Sequence, residues 1–459
     1  MTTQVERASP AAIADEAVRD VLRTQWAGLP AVRLDSPPGA GKTRVVEYLA
    51  VQALAKLRER CMVATQTNEQ AFDLARRLAQ GFPSLPFTLF LRKDLVAPDD
   101  LARHANLQLA RSAGDLPNGP CVAIANAPKW SWLDAGQVGP FDCLVVDEAF
   151  QLPDYRFHQI AGFASRVVLV GDPGQIAPVV TCKIERWKCD PAGPQVACPR
   201  ALTHRHPEVR RLSLPVSRRL VPDTVDFVQP AFYPELHFTA LSAPGERALR
   251  VHVAGATPID SAIDVAARGA SLVQLELPSL TVGEVDEELA DTLVALIVRL
   301  LRRRTVIREE GTERILEGGM IGVVCAHVSQ VNAIRERLPA ELGDVLVETS
   351  DRFQGLERVV MFVHHPLSGR ADASVFHLDA GRLCVMTSRH RIACFVLTRA
   401  GIEDMLLRYA PSGDRALGLD EDAEFNGWSA HLGILRRLRE RHRVVRLPRS
   451  STAEHLISR

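Results

Sequence analysis

The chain has 459 residues, hydrophobic residues make up 46% of it, and its formal net charge at pH 7 is zero. The length suggests about two to three domains, and the hydrophobic content excludes a disordered or fibrous protein. Zero net charge gives no overall field that would attract nucleic acid, so any such binding must come from a local groove. No apolar stretch is long enough to span a bilayer, and the N-terminus has no signal-peptide core, so a cytoplasmic protein is expected.

The first 180 residues alternate between strand-like apolar runs and helical patterns. A helix is predicted within residues 1–30, and strands are predicted near residues 31–35, 61–65, 121–125, 143–147 and 167–171. Such alternation is typical of a parallel sheet with helices on both faces. Residues 82–120 contain several prolines and mixed charges, and we interpret them as a small insertion. The first domain is therefore predicted over residues 1–180.

A second alternating region follows a proline-rich stretch. Residues 181–247 are predicted to cross between domains. The elements predicted after them are a helix at 285–303, a strand at 320–325, a helix at 328–338, and strands at 345–349, 358–363 and 392–397. This pattern predicts a second sheet domain over residues 248–410, without a phosphate-binding loop of its own. Residues 411–459 are predicted to form a C-terminal helical extension.

A phosphate-binding loop is the most specific signal. Residues 36–43 read Ser-Pro-Pro-Gly-Ala-Gly-Lys-Thr, between a predicted strand and a predicted helix, which is the context that the motif requires. Backbone N–H groups of the loop would cradle phosphate oxygens, Lys42 would reach the β- and γ-phosphates, and Thr43 would ligate Mg²⁺. Ser36 stands where the usual motif has its first glycine, which makes that turn less permissive.

Two further strand ends carry polar residues. The apolar run at 143–146 ends in Asp147, which suits a contact with Mg²⁺, and Glu148, which suits the activation of a water molecule. The run at 167–170 leads to Gln175, whose amide can donate a hydrogen bond to a γ-phosphate. Together with the loop, and in this chain order, these residues predict a site of NTP hydrolysis.

The ordered motifs resemble those of the superfamily 1 helicases, from residue 36 to about residue 397. Residues 64–68 are similar to motif Ia, Ser217-Arg218-Arg219 to motif IV, residues 349–357 to motif V, and residues 382–391 to motif VI. The resemblance implies an α/β fold with two RecA-like domains. Each domain would be a mostly parallel sheet flanked by helices, with the ATP site in the cleft between them.

The resemblance also implies roles for individual residues, with ATP and Mg²⁺ as cofactors. The implied catalytic residues are Lys42, Glu148, Gln175, Arg219 and Arg389. The implied nucleotide contacts are Pro38, Gly39, Ala40, Gly41, Lys42, Thr43, Asp147, Gly355 and Glu357, and the implied metal ligands are Thr43 and Asp147. The implied contacts with nucleic acid are Thr65, Thr67, Asn68 and Gln354. Trp130 and Trp132 are considered as base-stacking platforms, although core positions are commoner for tryptophan.

The leading hypothesis is an ATP-dependent translocase or helicase on single-stranded DNA or RNA. The form of motif V resembles the 5′-to-3′ branch, which includes the nonsense-decay-type and Dna2-type enzymes. We expect a monomer with no membrane partner and with a protein loader as a further partner. One alternative is an ATP-gated regulator that binds nucleic acid or protein without unwinding, which the neutral charge and the lack of accessory domains favour. A P-loop kinase is a second alternative, opposed by the second sheet domain and Arg389.

Overall fold

The computed structural model describes residues 10–180, 183–187, 190–409 and 423–448. Contacts between Cα atoms divide the chain into two compact units. The first unit extends to Pro215, except for Gly174–Ile176, which belong to the second unit together with the residues from Val216 onward. The two units are described separately below.

The first unit contains an eight-stranded sheet in which all described pairings are parallel. In chain order its strands are β1 (Ala31–Asp35), β2 (Arg60–Thr65), β3 (Phe87–Phe90), β4 (Leu107–Ala110), β5 (Cys121–Asn126), β6 (Phe141–Val146), β7 (Ala164–Gly171) and β8 (Arg210–Ser213). Their order across the sheet is β4-β3-β5-β2-β6-β7-β1-β8.

Helices cover both faces of this sheet. They are α1 (Pro10–Trp26), α2 (Lys42–Gln52), α3 (Asn68–Gly81), α4 (Ala127–Trp130), α5 (Asp154–Ala161) and α6 (Cys198–Arg205). Because successive residues of a strand point to opposite faces, Cys143 and Val145 of β6 join the core beneath α1–α3. Leu144 and Val146 join the core beneath α4–α6. A strand buried on both faces reads as a continuous apolar run, which is how β6 appears in the sequence.

Residues 82–120, interpreted from the sequence as an insertion, contain β3 and β4. These strands extend the same sheet in parallel beyond β5. Pro83, Pro86 and Pro98 lie outside the two strands, in the connections, so they remove no N–H group from the strand ladder.

The second unit has a six-stranded sheet and two small ones. Its strands are β9 (Val216–Ser217), β10 (Thr239–Ala240), β11 (Ala248–Arg250), β12 (Leu272–Leu277), β13 (Val306–Glu309), β14 (Thr312–Ile315), β15 (Ile321–Cys325), β16 (Leu346–Thr349), β17 (Arg358–His364), β18 (His390–Arg399) and β19 (Val444–Arg446). The large sheet has the order β16-β15-β17-β18-β12-β19, and its described pairings are parallel. Strands β11, β13 and β14 pair antiparallel, and β9 pairs with β10.

Helices again lie on both faces of the large sheet. They are α7 (Pro222–Phe232), α8 (Pro258–Ala267), α9 (Glu287–Arg302), α10 (Val328–Arg337), α11 (Val375–Leu378), α12 (Ala380–Thr387), α13 (Ile402–Arg408) and α14 (Ala423–Glu440). Phe395 of β18 packs in the core with α8–α10, whereas Val396 packs in the core with α7, α12 and α14.

The predicted α/β class, with two mostly parallel sheets flanked by helices, is confirmed. Two strands of the second sheet, β12 and β19, are absent from the elements that the sequence predicts. Strand β19 pairs with β12, so residues 423–448 belong to the second unit and complete its sheet. Residues 1–9, 410–422 and 449–459, for which helical structure is also predicted in part, lie outside the described residues. Within the described part of the chain, no helix is both long enough and apolar enough to cross a membrane.

Candidate functional site

The loop at residues 36–43 joins the end of β1 to the start of α2. Gly39 and Gly41 have φ angles of 71° and 92°, in the left-handed region that side chains disfavour. Gly41 directly precedes α2 and offers no side-chain cap, so the first N–H groups of α2 can bind an anion. Ser36 is completely buried and is not among the positive-φ residues. Serine therefore fits this turn without the conformation for which glycine would be needed.

Lys42 lies against the carboxylates that follow β6 and β7. Its Nζ is 3.0 Å from Oε2 of Glu148 and 4.0 Å from Oδ2 of Asp172. Asp172 is completely buried. The sequence analysis did not single out Asp172, although its place directly after an apolar strand is the same signal that identified Asp147.

Asp147 is buried beside Glu148. Burial, followed by the negative charge of Glu148, raises the pKa of Asp147 to about 7, while Lys42 acts in the opposite direction. The N–H of Glu148 donates to Oδ1 of Asp147 at 2.9 Å. Glu148 itself has a φ of 52°, a left-handed conformation that is uncommon for a residue other than glycine and typical of functional sites.

The donors at this site fit Mg²⁺. The Asp147 carboxylate and the hydroxyl of Thr43, in the first turn of α2, are hard oxygen ligands, and a divalent cation would relieve the repulsion between the carboxylates of Asp147 and Glu148. No group of three or more His, Cys, Asp or Glu side chains in the described residues could hold a metal by itself. In the usual Mg²⁺ site, one or two carboxylates act together with phosphate oxygens.

Three polar residues at the end of β2 and the start of α3, predicted to contact nucleic acid, have local partners. Thr65 is completely buried, and its hydroxyl donates to the carbonyl of Thr67 at 3.0 Å. Thr67 caps α3 in a capping box with Gln70, and the Oδ1 of Asn68 accepts a hydrogen bond from Asn126 at 2.7 Å. Thr67 is exposed and Asn68 half-buried, so these two present side chains at the surface and Thr65 does not.

The two neighbouring tryptophans have opposite environments. Trp130 is completely buried between Phe90 and Phe141, and its Nε1 donates to the carbonyl of Val63. Trp132 is 86% exposed. Trp130 is therefore a core residue, and only Trp132 has a ring that can meet a base.

In the second unit, Gln175 contacts the predicted motif V. Nε2 of Gln354 donates to Oε1 of Gln175 at 3.1 Å. A β-carbon at Gly381 would lie 2.6 Å from the backbone of Gln175, and one at Gly174 would lie 2.5 Å from the ring of Tyr233. Both glycines are therefore required for the close packing of this segment.

The predicted arginines lie near Glu357. Nε of Arg219 is 2.6 Å from Oε2 of Glu357. Burial would raise the pKa of Glu357, but the charges of Arg219, Arg391 and Arg389 hold it below its usual value. Arg389 is only 2% exposed. Gly355 lies between β16 and β17 and has a φ of 85°, a left-handed conformation that glycine adopts readily.

The predicted site residues thus form separate groups. Within the first unit, Lys42, Asp147 and Glu148 lie together at the loop. Within the second unit, Gln175 and Gln354 form one pair, and Arg219, Glu357 and Arg389 form a group linked by charge.

Comparison with known proteins adds a family match for part of the chain. Residues 284–401 match a family model described as an AAA domain. No curated protein matches the chain.

Solved structures of arterivirus helicases are similar to the chain. The PRRSV helicase is 15% identical, with a TM-score of 0.41, and the match covers 84% of this chain and 54% of that one. Arterivirus nonstructural protein 10, a helicase, is 16% identical with a TM-score of 0.43, over 85% of this chain and 64% of that one. A complex of that helicase with DNA is 15% identical with a TM-score of 0.42, over 86% and 66%. The chain thus spans between about half and two thirds of the length of these proteins.

The matched residues 284–401 include strands β13–β18, helices α9–α12 and the segments that the sequence predicts to be motifs V and VI. They lie in a chain whose two units each have a mostly parallel α/β sheet.

Proposed function

We propose that this protein is an ATP-dependent translocase or helicase that acts on single-stranded nucleic acid. The observation that carries the proposal is the group at the glycine loop. Nζ of Lys42 lies 3.0 Å from Oε2 of Glu148, and Asp147 directly precedes Glu148 in the chain. A lysine, a metal-binding carboxylate and a carboxylate for water activation are the parts that phosphoanhydride hydrolysis requires.

Each of these side chains has a separate task in hydrolysis. Lys42 exchanges its contact with Glu148 for phosphate oxygens, which frees the Glu148 carboxylate to accept a proton from the attacking water. Asp147 and Thr43 would hold Mg²⁺, which would neutralise charge on the phosphates. The glycine loop and the first N–H groups of α2 orient the phosphates.

Arginines of the second unit are proposed to be required for ATP hydrolysis. Arg389 and Arg219 would stabilise the negative charge that develops on the γ-phosphate, a contribution of about 10³–10⁵ in rate for an arginine finger. Gln175 would contact the γ-phosphate, and Gly355 and Glu357 would help to position the nucleotide. Because Arg219 now pairs with Glu357, that ion pair must rearrange during turnover.

Single-stranded nucleic acid is proposed to contact both units, largely through phosphates. The surface side chains of Thr67 and Asn68 and the amide of Gln354 suit backbone contacts, and the exposed ring of Trp132 suits stacking on a base. By resemblance to its family branch, the protein would move 5′ to 3′.

The first experiment compares ATP turnover with and without single-stranded DNA and RNA oligomers. Stimulation by either oligomer supports a translocase, whereas hydrolysis that neither oligomer changes would favour the ATP-gated regulator. Turnover that required an acceptor other than water would favour the kinase.

A second experiment tests direction. Streptavidin is bound to an oligomer biotinylated at one end or the other, and its ATP-dependent release is timed. Faster release from the 3′ end is expected for 5′-to-3′ movement, and faster release from the 5′ end would reverse the proposed polarity.

A further inference from the structure

Three rings from two distant segments of the second unit lie together and form what we call the aromatic patch: His327, Phe376 and His377. The ring centroid of His327 is 5.2 Å from that of Phe376 and 5.1 Å from that of His377, and the last two are 5.2 Å apart. The Nε2 atoms of the two histidines are 2.8 Å apart, so one imidazole donates a hydrogen bond to the other.

The aromatic patch is at the surface, beside other exposed apolar side chains. Phe376 is 43% exposed, and its neighbour Val375 and the neighbour of His327, Val328, are 66% and 62% exposed. Exposed apolar side chains that adjoin one another indicate an interaction site more strongly than single scattered ones.

Charges of both signs act on the aromatic patch: those of Arg370 and Arg382, and those of Glu284 and Asp372. The guanidinium carbon of Arg382 lies 4.1 Å from the ring centroid of Phe376. Burial, and after it the charges of Arg370 and Arg382, lower the pKa of His327. Burial and Arg370 together lower the pKa of His377 to about 4. Both imidazoles are therefore neutral at pH 7, and the two arginines act on them more strongly than the carboxylates of Glu284 and Asp372 do.

Arg370 provides a cation near the two histidines, and the charged group that acts on it is Asp286. Its Nη1 donates to the carbonyl of Gly283 at 3.1 Å, and its buried Nε has no hydrogen-bond partner. Among the residues that the structure describes, Arg370 has no ion-pair partner within 4.0 Å. Arg370 is therefore a cation that can bind a phosphate close to the aromatic patch.

The aromatic patch is joined to the loop that carries Gln354. Nη1 of Arg382, whose guanidinium covers Phe376, donates to Oγ of Ser350 at 2.5 Å and to Oδ2 of Asp351 at 2.6 Å. Ser350, Asp351 and Gln354 all lie in the segment between β16 and β17. The aromatic patch is therefore connected, through the buried side chain of Arg382, to the segment that carries Gln354.

We propose that the aromatic patch stacks against an unpaired base of single-stranded nucleic acid, while Arg370 binds an adjacent phosphate. Flat, neutral rings beside an unpaired guanidinium match the alternation of bases and phosphates along a single strand. An apolar protein segment bound at the patch would offer no negative charge to pair with Arg370. The inference rests on the proposed function and adds a base-contacting surface to its second unit.

The test measures binding of the full chain to two fluorescent oligomers by anisotropy. One is a thymidine or uridine oligomer, and the other has the same number of phosphates but carries no bases. Phe376→Leu, which keeps an apolar side chain and removes the ring, should weaken binding of the base-carrying oligomer between about fivefold and 150-fold, as expected for one stacked base. Its affinity for the abasic oligomer should stay unchanged, and Phe376→Trp should restore binding.

Arg370→Gln should behave differently. It should weaken binding of both oligomers equally and reduce the slope of log affinity against log salt concentration by about one, since one phosphate contact is lost. Ile315→Ala is the matched control, because Ile315 is a 66% exposed apolar residue elsewhere on the same unit, and it should change neither affinity.

Three results would overturn the proposal. Normal binding of the base-carrying oligomer by Phe376→Leu would show that the aromatic patch serves another partner, while the proposed function stands. Equal losses for both oligomers in Phe376→Leu would show that the ring of Phe376 does not contact a base. If the wild-type protein bound no oligomer at all, the proposed function would fail together with the patch.

Discussion

Gln354 donates a hydrogen bond to Gln175 at 3.1 Å, although the two residues are 179 positions apart. Gln175 follows the strand β7 of the first unit, yet Gly174–Ile176 belong to the second unit. Ile176 packs there in a core that includes Phe227, Leu383 and Met386. The residue proposed to sense the γ-phosphate is therefore in direct contact with one proposed to touch nucleic acid.

Gly381→Ala is expected to disturb this contact. The new β-carbon would lie 2.6 Å from the carbonyl of Gln175, so the segment must move and the Gln175–Gln354 hydrogen bond should be lost. We expect ATP binding at the loop to persist while the stimulation of turnover by nucleic acid falls. The measurement is the ratio of stimulated to basal ATP turnover.

Gly433→Ala is the control for that variant. Gly433 lies in α14 of the same unit, and a β-carbon there meets no atom within 4 Å. Its stimulation ratio should equal that of the wild type. A Gly381→Ala protein with an unchanged ratio would mean that the two glutamines do not couple the sites.

Lys42→Ala should abolish hydrolysis without unfolding the protein, because the side chain contacts carboxylates and not the core. A loss of at least about 10²–10³ in turnover is expected for the removal of a charge-stabilising donor. Turnover is measured by phosphate release, and circular dichroism checks the fold. Near-normal turnover would contradict the assignment of the site.

Glu148→Gln should retain ATP binding and lose most ATP hydrolysis. The amide keeps the size of the carboxylate and leaves Asp147 for Mg²⁺, but it cannot accept the proton of the attacking water. Turnover should fall by about 10²–10⁴, while a fluorescent ATP analogue still binds. If the variant no longer bound the analogue, Glu148 would have a structural role instead.

Arg389→Ala should retain nucleotide binding and lose most turnover, by about 10³-fold or more if the residue is an arginine finger. The control is Arg446→Ala, since the side chain of Arg446 is 71% exposed and forms only a surface ion pair with Glu276. Hydrolysis by Arg389→Ala at the wild-type rate would remove the second unit from the chemistry and would defeat the helicase interpretation.

Acid should destabilise the second unit through its buried histidines. Burial lowers the pKa of His364 to about 4 and of His431 to about 3, from an ordinary value of 6.5. Above pH 6.5 these groups are neutral in both states. Below it the unfolded chain binds protons that the folded chain does not, so each histidine lowers the free energy of unfolding by about 1.4 kcal/mol per pH unit.

Urea unfolding between pH 7 and pH 5 measures this effect. His431→Asn should reduce the proton uptake on unfolding by about one, whereas replacement of His252, an exposed histidine of the same unit, provides the comparison. An identical pH dependence in wild type and His431→Asn would contradict the low pKa of His431 in the folded protein.

Local patterns in the sequence determined the class of fold and the position of the proposed nucleotide site. The glycine loop could be recognised because its motif spans eight consecutive residues. Asp147 and Glu148 could be recognised because they directly follow the apolar run of β6. Because a strand buried on both faces must be apolar throughout, most of the central strands could be predicted from such runs. The short strand β19 and the strands β3 and β4, set among prolines, could not.

Only the tertiary structure decided which distant side chains meet. The sequence assigns Gln175 to the first domain because it follows β7, but the absence of a side chain at Gly381 lets its segment pack in the second unit. His327 and His377 are 50 residues apart, and their contact depends on how β15, β17 and the segments after them are arranged in one sheet. Hydrophobic periodicity reports which face of an element is buried; the partner on that face follows from strand order and packing, which no local pattern contains.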